Sequence, residues 1–236
     1  MNLWLFGEAL KKMTEHKKFK KECLKEIKHQ GNDKKLKKLS KDWMIQANKY
    51  KYSYHFEWLG MPIIQHPQDI IGLQQLLWNL QPDLVIETGI ARGGSIIFTA
   101  SILELISKCG GNQNSKVLGI DIDIRKKNKQ AIKKHPMHKR IKMIEGSSTS
   151  VEVFNQVKKF TNNFKKILIC LDSNHTHDHV LKELKLYAPL VSKGSYCIVY
   201  DTIIEDFPNN PNRPWGKSNN PKTAILEYLK YLKNNK

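Results

Sequence analysis

The chain lacks the patterns that build disulfide frameworks, zinc knuckles and membrane spans. Its 236 residues include four cysteines, none of them in a CxxC pair: Cys23, Cys109, Cys170 and Cys197. This scatter favours free thiols in a reducing setting. No apolar run has the length of a membrane span, and the apolar part of MNLWLFGEALKKM is too short for a secretory signal. We therefore expect a cytoplasmic protein without a membrane span.

Arginine is scarce, although the chain is strongly basic. The formal net charge is +18, and only four of the 40 basic residues are arginines. Arginine reads phosphates and bases better than lysine, because its planar guanidinium donates hydrogen bonds in a fixed fork. The joint excess of lysine and asparagine is typical of codon bias in an AT-rich genome. We therefore do not expect a nucleic-acid partner, and an RNA methyltransferase is an alternative favoured by charge alone.

The first part of the chain holds the strongest basic block. Residues 11–41 carry thirteen lysines and four acidic residues. Apolar positions at intervals of three and four residues, such as Leu36, Leu39 and Trp43, predict a helix with one narrow packing stripe. We expect residues 1–57 to form a helical, lysine-rich arm and linker that docks on the main domain or on another subunit. A solvated amphipathic arm is favoured over an RNA- or membrane-binding segment.

The remaining residues, 58–236, are expected to form one α/β domain. After an amphipathic helix, IIGLQQLLWNL, apolar strands alternate with helices. Strands are predicted at residues 84–87, 116–123, 140–146, 167–172 and 195–201. Continuous apolar strands joined by helices indicate a Rossmann-like, doubly wound, mostly parallel sheet that is covered on both faces. Ligands in such sheets bind beyond the carboxyl ends of the strands.

The sheet is predicted to lack its usual terminal strands. The residues after 201 contain no obvious strand pair. An open sheet edge is a template for pairing with another chain. We therefore expect a homo-oligomer in which a partner subunit covers the edge, or a shorter sheet than usual.

The first three strand ends carry residues suited to a nucleoside with a positive charge. The turn Glu87-Thr88-Gly89-Ile90-Ala91-Arg92-Gly93-Gly94-Ser95 is neither GxGxxG nor a P-loop, and its acidic Glu87 suits a cation. Asp121 can accept the hydroxyls of a ribose, and small polar residues follow the third strand. Each feature alone is also typical of a structural turn or cap. Together they indicate S-adenosylmethionine, a sulfonium. The predicted cofactor-binding residues are Glu87, Gly89, Ala91, Gly93, Ser95, Asp121, Ser147, Ser148 and Asp172.

Several segments carry a family resemblance. DLVIETGIARGGS, VLGIDID, IEGSS, LDSNHTHDHVLKELKLYAPLVSKGSYCIVYDT and RPWGKSNNPKTAILEYL resemble the cephalosporin hydroxylase/rhamnosyl O-methyltransferase family. This family belongs to the class I S-adenosylmethionine-dependent methyltransferases. The resemblance runs from Trp58 to Leu229 and implies an O-methyltransferase that acts on a hydroxyl of a sugar, a polysaccharide precursor or another small molecule.

The resemblance also implies a role for the segment ILICLDSNHTHDH. Similar catechol-type O-methyltransferases hold Mg²⁺ at the ends of the fourth and fifth strands. By this similarity Asp172 and Asp201 are the metal ligands. The catalytic residues are Asp172 and His175, and His175 is the base for the acceptor hydroxyl. The chain departs from the pattern at Tyr200, where relatives often carry a second polar ligand. Thr202, Glu205 or water is then expected to complete the metal shell.

Other interpretations of the histidine-rich segment stay open. HTHDH is similar to the HxHxDH motif of metallo-hydrolases but lacks the spacer between His177 and Asp178. The simpler interpretation puts His177 and His179 in the first turn of the next helix, where Asp178 suits the helix dipole. A non-catalytic, cofactor-binding or scaffold protein of the same fold is the main alternative function.

A long polar loop follows the fifth strand and ends at an N-cap asparagine, Asn220, and an N1 proline, Pro221. Long ordered loops are often lids or binding loops. Arg213 and Trp215 are the predicted substrate-binding residues: Arg213 could hold an anionic acceptor, and Trp215 could stack on a sugar ring or pack as a structural residue.

Overall fold

The computed structural model describes residues 3–235, with side chains from residue 14 onward. The first two residues of the predicted arm and the last residue of the predicted domain lie outside this range, and so do the side chains of the segment MNLWLFGEALKKM. The chain divides into two compact units, residues 1–50 and residues 51–236.

The first unit contains two helices, α1 (Leu3–Asn32) and α2 (Lys34–Asn48). Asp33 separates them and caps α2, because its carboxylate accepts the backbone N–H groups of Lys35 and Leu36. The predicted packing stripe lies on α2, and α2 has no buried residue. Among the described residues, no helix is both long and apolar enough to cross a membrane.

The second unit contains a small hairpin near its start, after a 3₁₀ turn (Tyr52–Tyr54), in a segment that the sequence analysis did not assign to strands. Strands β1 (Phe56–Trp58) and β2 (Met61–Ile63) pair antiparallel. The indole N–H of Trp58 donates to the Ser101 hydroxyl over 2.9 Å, and its ring packs edge-on against Phe98. Three-residue strands are too short to show an alternating pattern, so the sequence analysis did not include this hairpin.

The main sheet has five parallel strands in the order β5-β4-β3-β6-β7. The strands are β3 (Leu84–Thr88), β4 (Lys116–Asp121), β5 (Ile141–Glu145), β6 (Ile167–Leu171) and β7 (Cys197–Val199). The helices are α3 (Pro67–Leu80), α4 (Gly94–Lys108), α5 (Lys126–Lys134), α6 (Val151–Thr161), α7 (His177–Tyr187) and α8 (Pro221–Asn234). The predicted Rossmann-like α/β fold is confirmed.

The buried side chains form one cluster on each face of the sheet. Val85, Val117 and Leu168 belong to the cluster that contains α4, whereas Ile86 and Leu118 belong to the cluster that contains α7. Strands covered on both faces read as continuous apolar runs, which is why the sequence located them. In the described chain after β7, a 3₁₀ turn (Thr202–Asp206) and α8 follow, with no further strand in the sheet.

Two predicted strands end earlier than expected. Strand β4 ends at Asp121, whose carboxylate accepts the backbone N–H of Asp123 and so turns the chain out of the sheet. Strand β7 ends at Val199, because Asp201 has left-handed backbone with φ 56°. Asp121 is therefore the last residue of its strand and Asp201 lies just beyond β7, and both are at the carboxyl edge of the sheet.

Candidate active site

The glycine-rich turn after β3 lies against the end of β6. Gly89 has φ 93°, and a Cβ atom there would overlap the carbonyl group of Asp172. Its backbone N–H donates to the Ile120 carbonyl at the end of β4 over 2.7 Å. Only a glycine allows this approach, which brings three strand ends together.

Asp121 holds the same turn from the other side. Its Oδ2 accepts the backbone N–H groups of Ile90 and Ala91 over 2.8 and 2.9 Å. Ala91 itself has left-handed backbone with φ 46°. Asp121, predicted as a ribose ligand, thus also organises the loop, a role that the sequence analysis did not include.

Glu87 is buried beneath the turn. Its side chain is 3% exposed, and its Oε1 has no hydrogen-bond partner within the described chain. Burial raises the pKa of Glu87 from its ordinary 4.5 to about 7, and a hydrogen bond with Ser95 opposes this change only in part. Glu87 faces a pocket lined by Ile63, Gln65, Ile70, Leu73, Ser95, Phe98 and Tyr200. A single carboxyl in an apolar pocket suits a positively charged group.

Helix α4 starts directly above this pocket. Gly93 is its N-cap with φ 92°, and a Cβ atom there would press on the side chain of Ile132. A Cβ atom on Gly94 would overlap the Pro62 carbonyl. The glycines therefore let the start of α4 lie close to the hairpin and α5.

Ser148, after β5, is held in a buried polar network. Its hydroxyl lies 3.2 Å from His179 Nε2, which is also 3.1 Å from the Ser173 hydroxyl. Ser173 donates to Glu183, a fully buried acid on α7 that the sequence analysis missed. Ser147 is half-buried, and its hydroxyl is within 3.1 Å of the Thr149 hydroxyl. Of the two predicted serines, Ser148 is therefore the one tied to the end of β6.

Asp172, His175 and Asp201 form a candidate metal centre. One possible ligand atom of each lies within 4.8 Å of the other two. His175 Nε2 is 3.1 Å from Asp201 Oδ2, and the Gln65 amide donates to Asp172 Oδ2 over 2.7 Å. The sequence analysis assigned the two acids to a metal and His175 to proton transfer. Gln65, which follows β2, was missed because the hairpin was missed.

The electrostatics of this centre favour a cation. Burial first, then the neighbouring carboxylates of Asp201 and Glu87, hold the pKa of Asp172 well above its usual range, although the Gln65 hydrogen bond opposes them. Burial lowers the pKa of His175, and Asp201 opposes this change. Two carboxylates and an imidazole are donors that divalent cations accept, so the residues fit a metal ion.

Tyr200, where the chain departs from the family pattern, and Glu205, which was expected to help complete the metal shell, both have other surroundings. Tyr200 lines the pocket of Glu87. Glu205 accepts the backbone N–H of Ser218 and the side-chain amide of Asn220. Neither belongs to the group of possible ligands around Asp172.

The predicted acceptor residues lie beside this centre. The ring of Trp215 meets the ring of His175 edge-on with 4.8 Å between centroids. The guanidinium of Arg213 lies over the Trp215 ring, 5.0 Å from its centroid. Asn220 caps α8 in a capping box with Thr223, and Pro221 is its first residue, as predicted.

The three histidines of HTHDH diverge. Only His175 belongs to the candidate metal centre, 3.1 Å from Asp201. His177 lies 2.8 Å from the Thr223 hydroxyl and 3.1 Å from Glu227 on α8. His179 joins the network of Ser148. His177 and His179 are in the first turn of α7, as the simpler interpretation predicted. A metal-binding HxHxDH arrangement is therefore not formed.

Comparisons with known proteins agree with this geometry. Residues 50–236 match the family described as Rhamnosyl O-methyltransferase/CmcI. The rhamnosyl O-methyltransferases of Mycobacterium bovis and Mycobacterium tuberculosis are 34% identical to this chain over 172 residues, which is 72% of this chain and 65% of the relative. The chain thus spans about 65% of the length of these curated relatives.

Solved structures share the fold. A structure described as CmcI with Mg-SAM is 17% identical to this chain, with a TM-score of 0.50. The match covers 77% of this chain and 66% of that chain. The apo structure of a TDP-rhamnose 3'-O-methyltransferase from calicheamicin biosynthesis is also 17% identical, with a TM-score of 0.51 over 69% of each chain.

Proposed function

Because this chain belongs to the rhamnosyl O-methyltransferase/CmcI family, we propose that it is an S-adenosylmethionine-dependent O-methyltransferase. Its acceptor is a hydroxyl of a sugar, of a polysaccharide precursor or of another small molecule. The observation that carries the proposal is the group of Asp172, His175 and Asp201, which adjoins the glycine-rich turn at the carboxyl edge of the sheet.

The cofactor site is proposed at the ends of β3, β4 and β5. S-adenosylmethionine, when bound, supplies an electrophilic methyl group on a positively charged sulfur. Glu87 provides a buried carboxyl for a cationic group, and its Oε1 receives no hydrogen bond from the described residues. Asp121 keeps the turn of Gly89 in shape. Ser147 and Ser148, which follow β5, are proposed to border the adenine of the cofactor.

Asp172 and Asp201 are proposed to hold Mg²⁺, an ion that prefers oxygen ligands. When bound, such an ion lowers the pKa of a coordinated hydroxyl. His175 is proposed as the base, because its lowered pKa keeps the imidazole neutral and able to accept a proton at neutral pH. The Asp201 carboxylate, 3.1 Å from His175 Nε2, orients the ring.

Trp215 and Arg213 are proposed to position the acceptor. Both lie next to His175, so an acceptor that stacks on Trp215 has its hydroxyl near the base. Holding two reactants in line accounts for much of the catalysis expected of such a site. A cytoplasmic location and a homo-oligomeric state are part of the same proposal.

A non-catalytic, cofactor-binding member of the family is the second candidate. The observation that favours it is Tyr200, which precedes Asp201 where a second polar metal ligand is expected. Such a protein binds S-adenosylhomocysteine but does not transfer methyl groups.

The test combines calorimetry with a methyl-transfer assay on rhamnose-containing acceptors. We expect S-adenosylhomocysteine to bind the wild-type chain, and Asp172→Asn to abolish both Mg²⁺ binding and turnover. Asp178→Asn, an exposed aspartate on α7, is the matched control and should behave as wild type. Binding without turnover on any acceptor would support the second candidate, and absence of binding would refute both.

A further inference from the structure

Helix α2 has two chemically different faces. Leu36, Leu39 and Trp43 share one face, and they are 40%, 57% and 47% exposed. Lys34, Lys38 and Lys41 lie on the opposite side of the same helix, as the 3.6-residue repeat requires. Asp42 is the single acid among the fifteen residues of α2. An apolar face with tryptophan opposite a lysine face is the pattern of helices that lie in a membrane interface.

Helix α1 also exposes apolar side chains. Phe19, Leu24 and Ile27 are exposed on it. Residues 14–50 together carry twelve lysines, five acidic residues and no arginine. Lysines near an anionic bilayer each strengthen binding by about fivefold. Exposed apolar side chains strengthen it further, because their burial in the interface removes them from water.

We propose that the arm formed by residues 14–50 binds an anionic lipid surface and so makes the protein a peripheral membrane protein. The apolar face of α2 enters the headgroup region, and the lysines remain near the lipid phosphates. The charge of the arm complements an anionic bilayer and opposes a second copy of the same positively charged arm. RNA is a poorer match, because the arm has no arginine and RNA contacts do not require an exposed leucine stripe.

The test is flotation of the full chain with vesicles of phosphatidylcholine, with and without phosphatidylglycerol, at low and high salt. We expect binding to the anionic vesicles, reduced by high salt. Leu39→Ser should weaken this binding roughly tenfold. Leu105→Ser is the matched control, because Leu105 on α4 has the same 57% exposure as Leu39. It should leave binding unchanged.

A second pair of variants tests the charge. Lys34→Gln/Lys38→Gln should weaken binding to anionic vesicles by roughly 25-fold, since each lysine contributes about fivefold. Lys158→Gln/Lys159→Gln, two exposed lysines at the end of α6, removes the same charge elsewhere and should have little effect.

Three results would overturn the proposal. The first is no binding of the wild-type chain to anionic vesicles at low salt. The second is a wild-type chain that does not bind vesicles and forms oligomers that Leu39→Ser loses, as seen by analytical ultracentrifugation. This result would assign the apolar face to a second copy of the chain. The third is a wild-type chain that does not bind vesicles but binds RNA in a salt-sensitive manner, with no change in RNA binding in Leu39→Ser.

Discussion

Glu87 is a buried acid whose ionisation destabilises the folded protein without a bound ligand. Its folded-state pKa of about 7 lies above the ordinary 4.5. Between pH 4.5 and 7, Glu87 is therefore protonated in the folded chain but ionised in the unfolded chain. Stability from this group is therefore present below pH 4.5 and falls as pH rises to 7, by about 3 kcal/mol in total. We expect Glu87→Gln to remove this decrease, as measured by urea unfolding at several pH values.

The control for Glu87→Gln is Glu152→Gln, which removes a charge from an exposed glutamate in the first turn of α6. It should not change the slope of stability between pH 4.5 and 7. Glu87→Gln should also weaken binding of S-adenosylhomocysteine, because it removes the carboxyl from the pocket. A variant with the same pH slope as wild type would show that Glu87 is ionised in the free protein.

Gly89 permits the closest backbone approach in the proposed site. Gly89→Ala forces a Cβ atom onto the Asp172 carbonyl in addition to the strain of its φ of 93°. Gly60 offers a matched control, since its φ is 80° but a Cβ atom there has no neighbour within 4 Å. We expect Gly60→Ala to cost roughly 1–2 kcal/mol of unfolding free energy. Gly89→Ala should cost clearly more and abolish cofactor binding; equal costs for the two variants would contradict the overlap.

At the scale of elements, the loop between the 3₁₀ turn and α8 brings Trp215 to the candidate centre. Glu205 anchors this loop through Ser218 and Asn220, independently of the cofactor turn. We expect Trp215→Leu to raise the KM for the acceptor by roughly tenfold, because one aromatic stacking surface is lost. The affinity for S-adenosylhomocysteine should stay unchanged.

Trp78→Leu controls for the loss of a tryptophan, because Trp78 is exposed on α3. It should leave both the KM and the cofactor affinity at wild-type values. A Trp215→Leu variant that instead loses stability without a change in KM would identify Trp215 as a packing residue.

The elements differ in how far the sequence predicted them. Strands β3 and β6 were located because they are buried on both faces and are therefore apolar at each position before Glu87 and Asp172, respectively. The hairpin was missed because the contacts that stabilise it, such as Trp58 to Ser101, join residues 43 positions apart. For the same reason Gln65 and Glu183 could not be connected to Asp172 and Ser148 from local patterns. The family resemblance, in contrast, did imply that His175 lies near the acids.

The whole molecule separates its charges. The formal net charge is +18, yet Glu87, Asp172, Asp201 and Glu183 lie together at the carboxyl edge of the sheet. The buried Arg140 is one basic residue with a structural task, because it donates to Glu104 and to the Ser115 carbonyl. The acids of the candidate site and the basic arm therefore belong to different units, 51–236 and 1–50.

This separation predicts that the second unit works without the first. Both apolar clusters consist of residues after position 50, and the family match covers residues 50–236. We expect a chain of residues 51–236 to unfold cooperatively and to bind S-adenosylhomocysteine with the affinity of the full chain, as measured by urea unfolding and calorimetry. Because the lysines and exposed leucines of the arm are then absent, the same chain should not float with anionic vesicles. A shortened chain that binds cofactor much more weakly would mean that the arm contributes to the site, and one that still floats would locate the lipid-binding surface in the second unit.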